Sequence, residues 1–263
     1  MNSEKFVQEL ASARPGLRRY ALTLTSDETL AEDLVSETVV RALEKQQSFR
    51  GDAALATWLH RILHNLAVDR FRTGREVPSE DILSRAEADW RSDAYTVDVE
   101  AVTVKAESVS EVRDALVHLP FKYRSAIILH DGHGLTNQEV AQVQGIGLSA
   151  AKQRVRRGRM MLVSLLAHGA ERQVAVPRYP LGCWAARSQV SEYLDDDLVP
   201  SQRAVLEAHL SQCPSCPSLY AALVTAQSAM KRAGRDPDSV IEPSIAERLH
   251  TERQARSRRT RDA

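Results

Sequence analysis

From residue 3 onward the apolar positions recur at spacings of three and four, the period of helices that present one face to a core. Phe6, Val7, Leu10, Leu17, Ala21 and Leu24 trace a first helix over residues 3–24, which Pro15-Gly16 is expected to interrupt. Thr25 with Glu28 has the spacing of a capping box that opens a second helix. Its apolar stripe is Leu30, Ala31, Leu34, Val35, Thr38, Val39, Ala42 and Leu43, and its other face carries Glu28, Glu32, Asp33, Glu37 and Arg41. Part of that acidic bias is what the helix macrodipole favours near a start, and a merely solvated face is the plain alternative. A small-residue loop over residues 48–55 leads to a third helix from Thr57. It is expected to bury Trp58, Leu59, Ile62, Leu63, Leu66, Ala67 and Phe71, leaving His60, Arg61, His64, Asn65, Asp69, Arg70 and Arg72 outside.

The pattern then weakens. Residues 76–110 are acidic and poorly periodic, which predicts a flexible linker without a packed core of its own. Periodicity returns at residues 111–130, two helices broken at Leu119-Pro120, and is clearest between Leu135 and Met161. There Thr136 and Glu139 make a capping box, Val140, Ala141 and Val143 supply an apolar side, and Gly145 sits where the chain must turn with positive φ. Ile146 plugs the corner, and Ser149 is placed to cap a helix that begins at Ala150. The result is a helix-turn-helix whose second helix is basic: Lys152, Arg154, Arg156, Arg157 and Arg159 on one side, Ala151, Val155 and Leu162 on the other. A solvated basic hairpin has the same composition. Small or polar residues near the start of this helix, Ser149, Ala150, Lys152 and Gln153, are however what approach to base edges requires.

Composition narrows the class. Aromatic residues make up only 5% of a chain rich in Ala, Leu, Val, Glu and Arg, which favours an all-helical protein of roughly two domains in 263 residues. The formal net charge of zero excludes a uniformly basic nucleic-acid coat, but charge is segregated, with cations at 152–159 and 248–261 and acids at 76–114 and 195–197. No apolar run approaches the ~18 residues of a membrane span. The start MNSEKFVQEL lacks the pattern of a secretory signal, so no membrane association and a cytoplasmic location are expected. With no Ser-His-Asp logic, phosphate loop or open metal site in view, neither catalysis nor a small-molecule substrate is expected.

All three cysteines fall between residues 183 and 216. Cys183 is followed by His209, Cys213 and Cys216, and three thiolates with one imidazole form a closed tetrahedral donor set suited to one zinc ion. Such a site staples a segment too small to hold itself together; a redox switch is the less favoured reading. Residues 168–180 read as a linker, and residues 231–263 as a disordered basic tail.

The succession LTSDETLAEDLVSETVVRALEK, SFRGDAALATWLHRILHNLAVDRFR and LPFKYRSAIILHDGHGLTNQEVAQVQGIGLSAAKQRVRRGRMML resembles regions two and four of bacterial sigma factors of the extracytoplasmic-function (ECF) group. The resemblance covers most of residues 3–167 and implies a transcription initiation factor. It implies core RNA polymerase (β′ and β subunits) and promoter DNA as partners, with Glu32, Asp33, Glu37 and Arg41 docking on polymerase. Arg61, Asn65 and Arg70 become candidates for the minus-ten element, with Trp58 read as core rather than as a melting wedge. Ser149, Lys152, Gln153, Arg156 and Arg157 become candidates for the minus-thirty-five element. Ala151 and Gln153 depart from the Val and Ser usual in the family. The segment from Cys183 to about Leu223 is similar to zinc-binding anti-sigma domains, which implies that it docks on the sigma domains of its own chain and inhibits them. A polymerase-independent helix-turn-helix regulator is the alternative. The expected architecture is all-α. Region two spans 1–75, a flexible linker 76–110, the region-four helix-turn-helix 111–167, a linker 168–180, a small helical zinc-binding domain 181–230, and a disordered tail 231–263.

Overall fold

The computed structural model describes residues 3–49, 51, 53–73 and 80–234. Of the disordered tail expected over residues 231–263, residues 231–233 instead continue the last helix, and the part beyond residue 234 lies outside the described residues. Helix α1 (Ser3–Thr25) runs through Pro15 without a break, contrary to expectation. Leu10 on one side of the proline and Leu17, Tyr20, Ala21 and Leu24 on the other are all buried, and that packing outweighs the helix-breaking cost, about 3 kcal/mol. Thr25 is the last residue of α1 rather than a cap. Asp27 caps α2 (Glu28–Glu44) instead, accepting from the Leu30 amide at 2.9 Å. A short 3-10 turn (Gln46–Ser48) and α3 (Leu55–Thr73) complete the first module. The rings of Phe6, Phe49 and Trp58 pack at tilted to edge-on angles with centroids 5.4–6.5 Å apart, and Trp58, expected in the core, is only half-buried, packed on the core with one side open to a cleft.

The acidic connector is not a tether. Residues 80–107 form α4 (Glu80–Arg91), β1 (Tyr95–Val97) and α5 (Val99–Glu107), with Trp90, Tyr95, Val97 and Val102 buried. Ile82, Leu83, Ala86 and Trp90 line one side of α4 among otherwise polar residues, Ala86 and Trp90 are buried against the basic helix, and Trp90 Nε1 donates to Ser164 Oγ at 3.1 Å. The expected linker after the helix-turn-helix likewise supplies β2 (Glu171–Gln173), paired antiparallel to β1 with Thr96 opposite Arg172.

Helices α6 (Val109–Val117) and α7 (Phe121–Ile127) lead through a π-type turn (Ile128–Gly132) into α8 (Asn137–Gln144) and α9 (Leu148–Leu166). The capping box of α8 is formed, Thr136 Oγ1 accepting from the Glu139 amide and Glu139 from the Thr136 amide. Gly145 takes the left-handed conformation expected, φ 65°. Helix α9 begins earlier than Ser149 implied: Gly147 is its N-cap, and Ser149 lies inside the first turn, exposed. Helices α10 (Cys183–Leu194), α11 (Pro200–Gln212) and α12 (Cys216–Ala233) close the described chain. Helix α12 packs along α5, the π turn and α9, so that one contiguous apolar core runs from Phe6 to Met230.

Trp90→Ala therefore removes a fully buried ring, and a loss of about 3–5 kcal/mol in urea-unfolding free energy is expected. A solvated linker would show a change near zero.

Candidate nucleic-acid interface and metal centre

The sequence-derived DNA set divides into two groups. Arg61 and Asn65 are exposed on α3, and Arg61 lines a cleft of about 250 Å³ together with Phe49, Thr57, Trp58 and Gln142 of α8. Arg70 pairs with Glu37 of α2 at 3.5 Å, and Glu37 also holds Arg41 at 2.8 Å. This joins the two candidate sets on α2 and α3 into one charged surface. Asp33 is exposed there, and Glu32 pairs with Arg14 and Arg18.

His60 and His64 are not on that surface. Both are buried, 6% and 5% exposed, because α3 packs on α7 and α8 of the helix-turn-helix module. Tyr20 OH lies 2.9 Å from Ser125 Oγ and 3.2 Å from His64 Nδ1, while the His60 and His133 rings sit 5.5 Å apart. The Nε2 atoms of His60 and His133 are buried without a hydrogen-bond partner among the described residues. Burial, with a smaller contribution from Arg154, pushes His64 down to about 4; burial, then His60 and Arg19, pushes His133 down to about 3; burial lowers His60 as well. The first helical module and the helix-turn-helix module thus meet through histidines held neutral.

On α9 every cation of the basic cluster has a partner within the chain. Arg154 bonds Gln144 Oε1 at 2.9 Å and Arg157 pairs with Glu87 of α4 at 2.8 Å. Arg156 reaches the Ser188 carbonyl at 3.5 Å and lies over the Trp184 ring, whose face also carries Arg91 at 4.4 Å. Lys152 pairs with Asp197 at 2.9 Å, a bond that raises its pKa. Gln153 remains exposed, while Ala151 is fully buried and seats the helix in place of the larger family valine.

Arg159, read from sequence as part of the phosphate-facing side, is 3% exposed. Its guanidinium forks onto Asp131 of the π turn at 2.6 and 2.9 Å. It also donates to Asp195 at 2.7 Å and to Ser191 Oγ at 2.7 Å. His130 Nε2 lies 3.1 Å from the same Asp195 oxygen, and Gln227 of α12 donates to Asp131 at 3.3 Å. Burial opposes ionisation of Asp195, yet its hydrogen bonds with His130 and Arg159 hold its carboxyl down to about 2. Burial alone would lower His130, but Asp195 and Asp131 together raise it. The only advance sign of this network was the acidic run at 195–197, which stands at a helix C-terminus where the macrodipole disfavours it.

Cys183, His209, Cys213 and Cys216 are brought together as their spacing implied, all four buried with one ligand atom each within 4.8 Å of the others. The Sγ atoms of Cys183 and Cys213 are 3.6 Å apart, and His209 Nε2 is 3.3 Å from Cys216 Sγ. Two sulfurs each about 2.3 Å from a tetrahedral zinc would stand ~3.8 Å apart, close to the spacing of Cys183 and Cys213, so three thiols and an imidazole this near one another fit that ion. Burial drives the Cys183 and Cys216 thiols up; against burial, hydrogen bonds from Ser215 Oγ and the Ser215 and Cys216 amides lower Cys213. A residue that sequence reasoning missed secures this knuckle. Buried Arg187 donates to the carbonyls of Trp90, Ser92, Asp93 and Tyr95 at 2.7–3.2 Å and to Ser215 Oγ at 2.9 Å. Thr96 Oγ1 adds a bond to the Ser215 carbonyl at 2.9 Å. Metal knuckle and connector are one hydrogen-bonded unit.

Three family models match the chain: Sigma-70 region 2 over residues 10–77, Sigma-70, region 4 over residues 110–162, and "Putative zinc-finger" over residues 183–216. The ECF RNA polymerase sigma factor EcfG of Rhodopseudomonas palustris is 33% identical over 164 residues, 62% of this chain and 86% of that protein. The ECF RNA polymerase sigma factor SigM of Mycobacterium tuberculosis is 30% identical over 152 residues, 58% of this chain and 72% of that protein. Among solved structures, the sigma factor RpoE in complex with the anti-sigma factor NepR from Bartonella quintana matches with TM-score 0.45 and 29% identity. That match covers 62% of this chain and 97% of the other. Among the described residues no helix is long and apolar enough to cross a membrane.

Acidification is expected to loosen the face between the first helical module and the helix-turn-helix module. The folded pKa values of His60, His64 and His133 lie below the unfolded 6.5, so the unfolded chain binds more protons below that pH. Stability then falls as pH drops from 6.5 toward the folded value of about 4 for His64, by up to about 1.4 kcal/mol per pH unit per histidine. Urea titrations of the wild type and of His64→Asn should show a flatter acid slope in the variant.

Proposed function

This chain belongs to the ECF sigma factors of RNA polymerase, and on that footing we propose how its parts divide the work. As a sigma factor it directs core RNA polymerase to specific promoters and initiates transcription there. The carrying observation is the ordered pair of matches to sigma regions two and four, together with 33% identity over 86% of an ECF sigma factor. In this reading Glu32, Asp33, Glu37 and Arg41 present α2 to the β′ subunit of core polymerase, and polymerase sets the distance between the two promoter readers. Arg61, Asn65 and Arg70 on α3 contact the minus-ten element; the cleft beside Arg61, with Phe49 and Trp58 on its wall, suits an unstacked base. Ser149, Lys152, Gln153, Arg156 and Arg157 on α9 contact the minus-thirty-five element. The protein acts in the cytoplasm as a binding factor, not as an enzyme.

The metal centre holds one zinc ion, through Cys183, His209, Cys213 and Cys216. Bound there, zinc closes the knuckle that carries α10, α11 and α12, contributing folding free energy rather than chemistry. The zinc-binding segment, residues 181–230, inhibits the sigma modules of its own chain. Support comes from the α9 cations already partnered to it, and from tethering, which sets an effective concentration on the order of millimolar.

Asp33→Ala combined with Glu37→Ala is expected to weaken pull-down of core RNA polymerase by about tenfold, the effect of losing a docking hot spot. Run-off transcription from a cognate promoter should fall in step, and unchanged association would rule out α2 as the docking helix. Cys213→Ser combined with Cys216→Ser should lower bound zinc, measured by atomic emission on the purified chain, from about one ion per chain to none. Retention of stoichiometric zinc would place the site elsewhere.

A further inference from the structure

Three carboxylates stand at the C-terminal end of α10, where the unsatisfied carbonyls of the last turn already present negative charge. Nothing local favours them there. The turn is built to separate them: Asp196 takes the left-handed conformation, φ 60°, and the Asp197 amide returns to the Glu192 carbonyl at 2.8 Å. As a result Asp195 points inward to Arg159 and His130, Asp197 to Lys152, and Asp196 to Arg203 of α11. Two of the three acids are thus matched to cations of α9, the helix that the sigma-factor reading assigns to duplex DNA: Asp195 to the buried Arg159, which anchors the turn, and Asp197 to the half-exposed Lys152.

We propose that the turn Asp195–Asp196–Asp197 stands in for the promoter phosphate backbone on α9, so that the zinc-bearing segment and duplex DNA exclude one another at that helix. The inference rests on α9 being the minus-thirty-five reader. Carboxylate and phosphate oxygens make the same charge-assisted bonds to Lys and Arg, and Lys152 is engaged through such a bond at 2.9 Å. The cover extends along the helix. One turn on, Arg156 is occupied by the Ser188 carbonyl and the Trp184 ring, and Glu192 faces Ser149, Lys152, Gln153 and Arg156 across a cleft of about 440 Å³. A major groove about 12 Å wide must admit the whole reading helix, and α10 already lies on that side. Helix α2, by contrast, makes its main contacts with α1 and α3, so the contacts on α9 bear on the DNA step rather than on polymerase docking.

The test uses the full zinc-loaded chain and a fluorescently labelled duplex of random sequence, with binding followed by anisotropy across a salt series. Asp195→Asn combined with Asp197→Asn should tighten duplex binding by about tenfold, about 1.4 kcal/mol. The plot of log affinity against log salt should steepen by ~0.9 for each cation released to phosphate. Adding Lys152→Gln should return part of the gain. Asp197→Asn alone guards against a folding defect: its side chain is 38% exposed and its ion pair is with Lys152, so a smaller gain, about threefold, is expected from it. Equal affinity and equal salt slope in wild type and variants, with circular dichroism and zinc content unchanged, would overturn the proposal. The assay contains no polymerase, so its failure is distinct from failure of the sigma-factor reading, which would show in the polymerase pull-down.

Discussion

Burial of the Arg159 guanidinium is the constraint on which the assembled chain depends. A cation 3% exposed must be neutralised in place, and the region-four module supplies only Asp131 for the purpose. The remaining valences are met from α10 and its turn, by the Ser191 carbonyl and hydroxyl and by Asp195. Lifting α10 away would leave Arg159 and Asp131 half satisfied and His130 without its carboxylate. Removing one partner from a buried pair costs about 3–5 kcal/mol. The zinc-bearing segment is therefore an electrostatic part of the helix-turn-helix module in this state, not an appended bead.

Arg187 makes the reciprocal connection. It carries charge from the zinc-bearing segment into the connector, where four carbonyls, from the end of α4, the turn after it and the start of β1, surround it. One arginine on α9 points into the zinc-bearing segment and one on α10 points out of it, so the seam is closed from both sides. Ser215, between two of the metal ligands, bonds both Arg187 and Thr96, which makes knuckle geometry and connector geometry interdependent.

What was legible in the sequence was local. The Thr136–Glu139 box, the left-handed Gly145 and the Cys/His spacing each bind residues close in the chain to one conformation, and each is found as read. What was not legible was set by partners far away in sequence. The bury of Ala86 and Trp90 on α9 turns an acidic stretch into helix, flanking core residues carry α1 through Pro15, and α7 with α8 cover His60 and His64. Of the candidate site, spacing foretold that the four Cys/His side chains come together and that Arg61 and Arg70 lie on the exposed side of α3. The burial of Arg159 was not foretold, because a helical period says which side a residue takes but not what will later pack there.

The strand pair carries a consequence for synthesis. β1 is made before the whole of α5 to α9, yet its partner β2 and the acidic turn at Asp195 come after them. At ~5–20 residues per second, a ribosome completes α9 a few seconds before the cover emerges. Each newly made molecule therefore passes through an interval in which its reading helix is finished and its connector has neither β2 nor Arg187 to hold it. The contacts that cover α9 therefore form last, after every residue of the helix they enclose has been made.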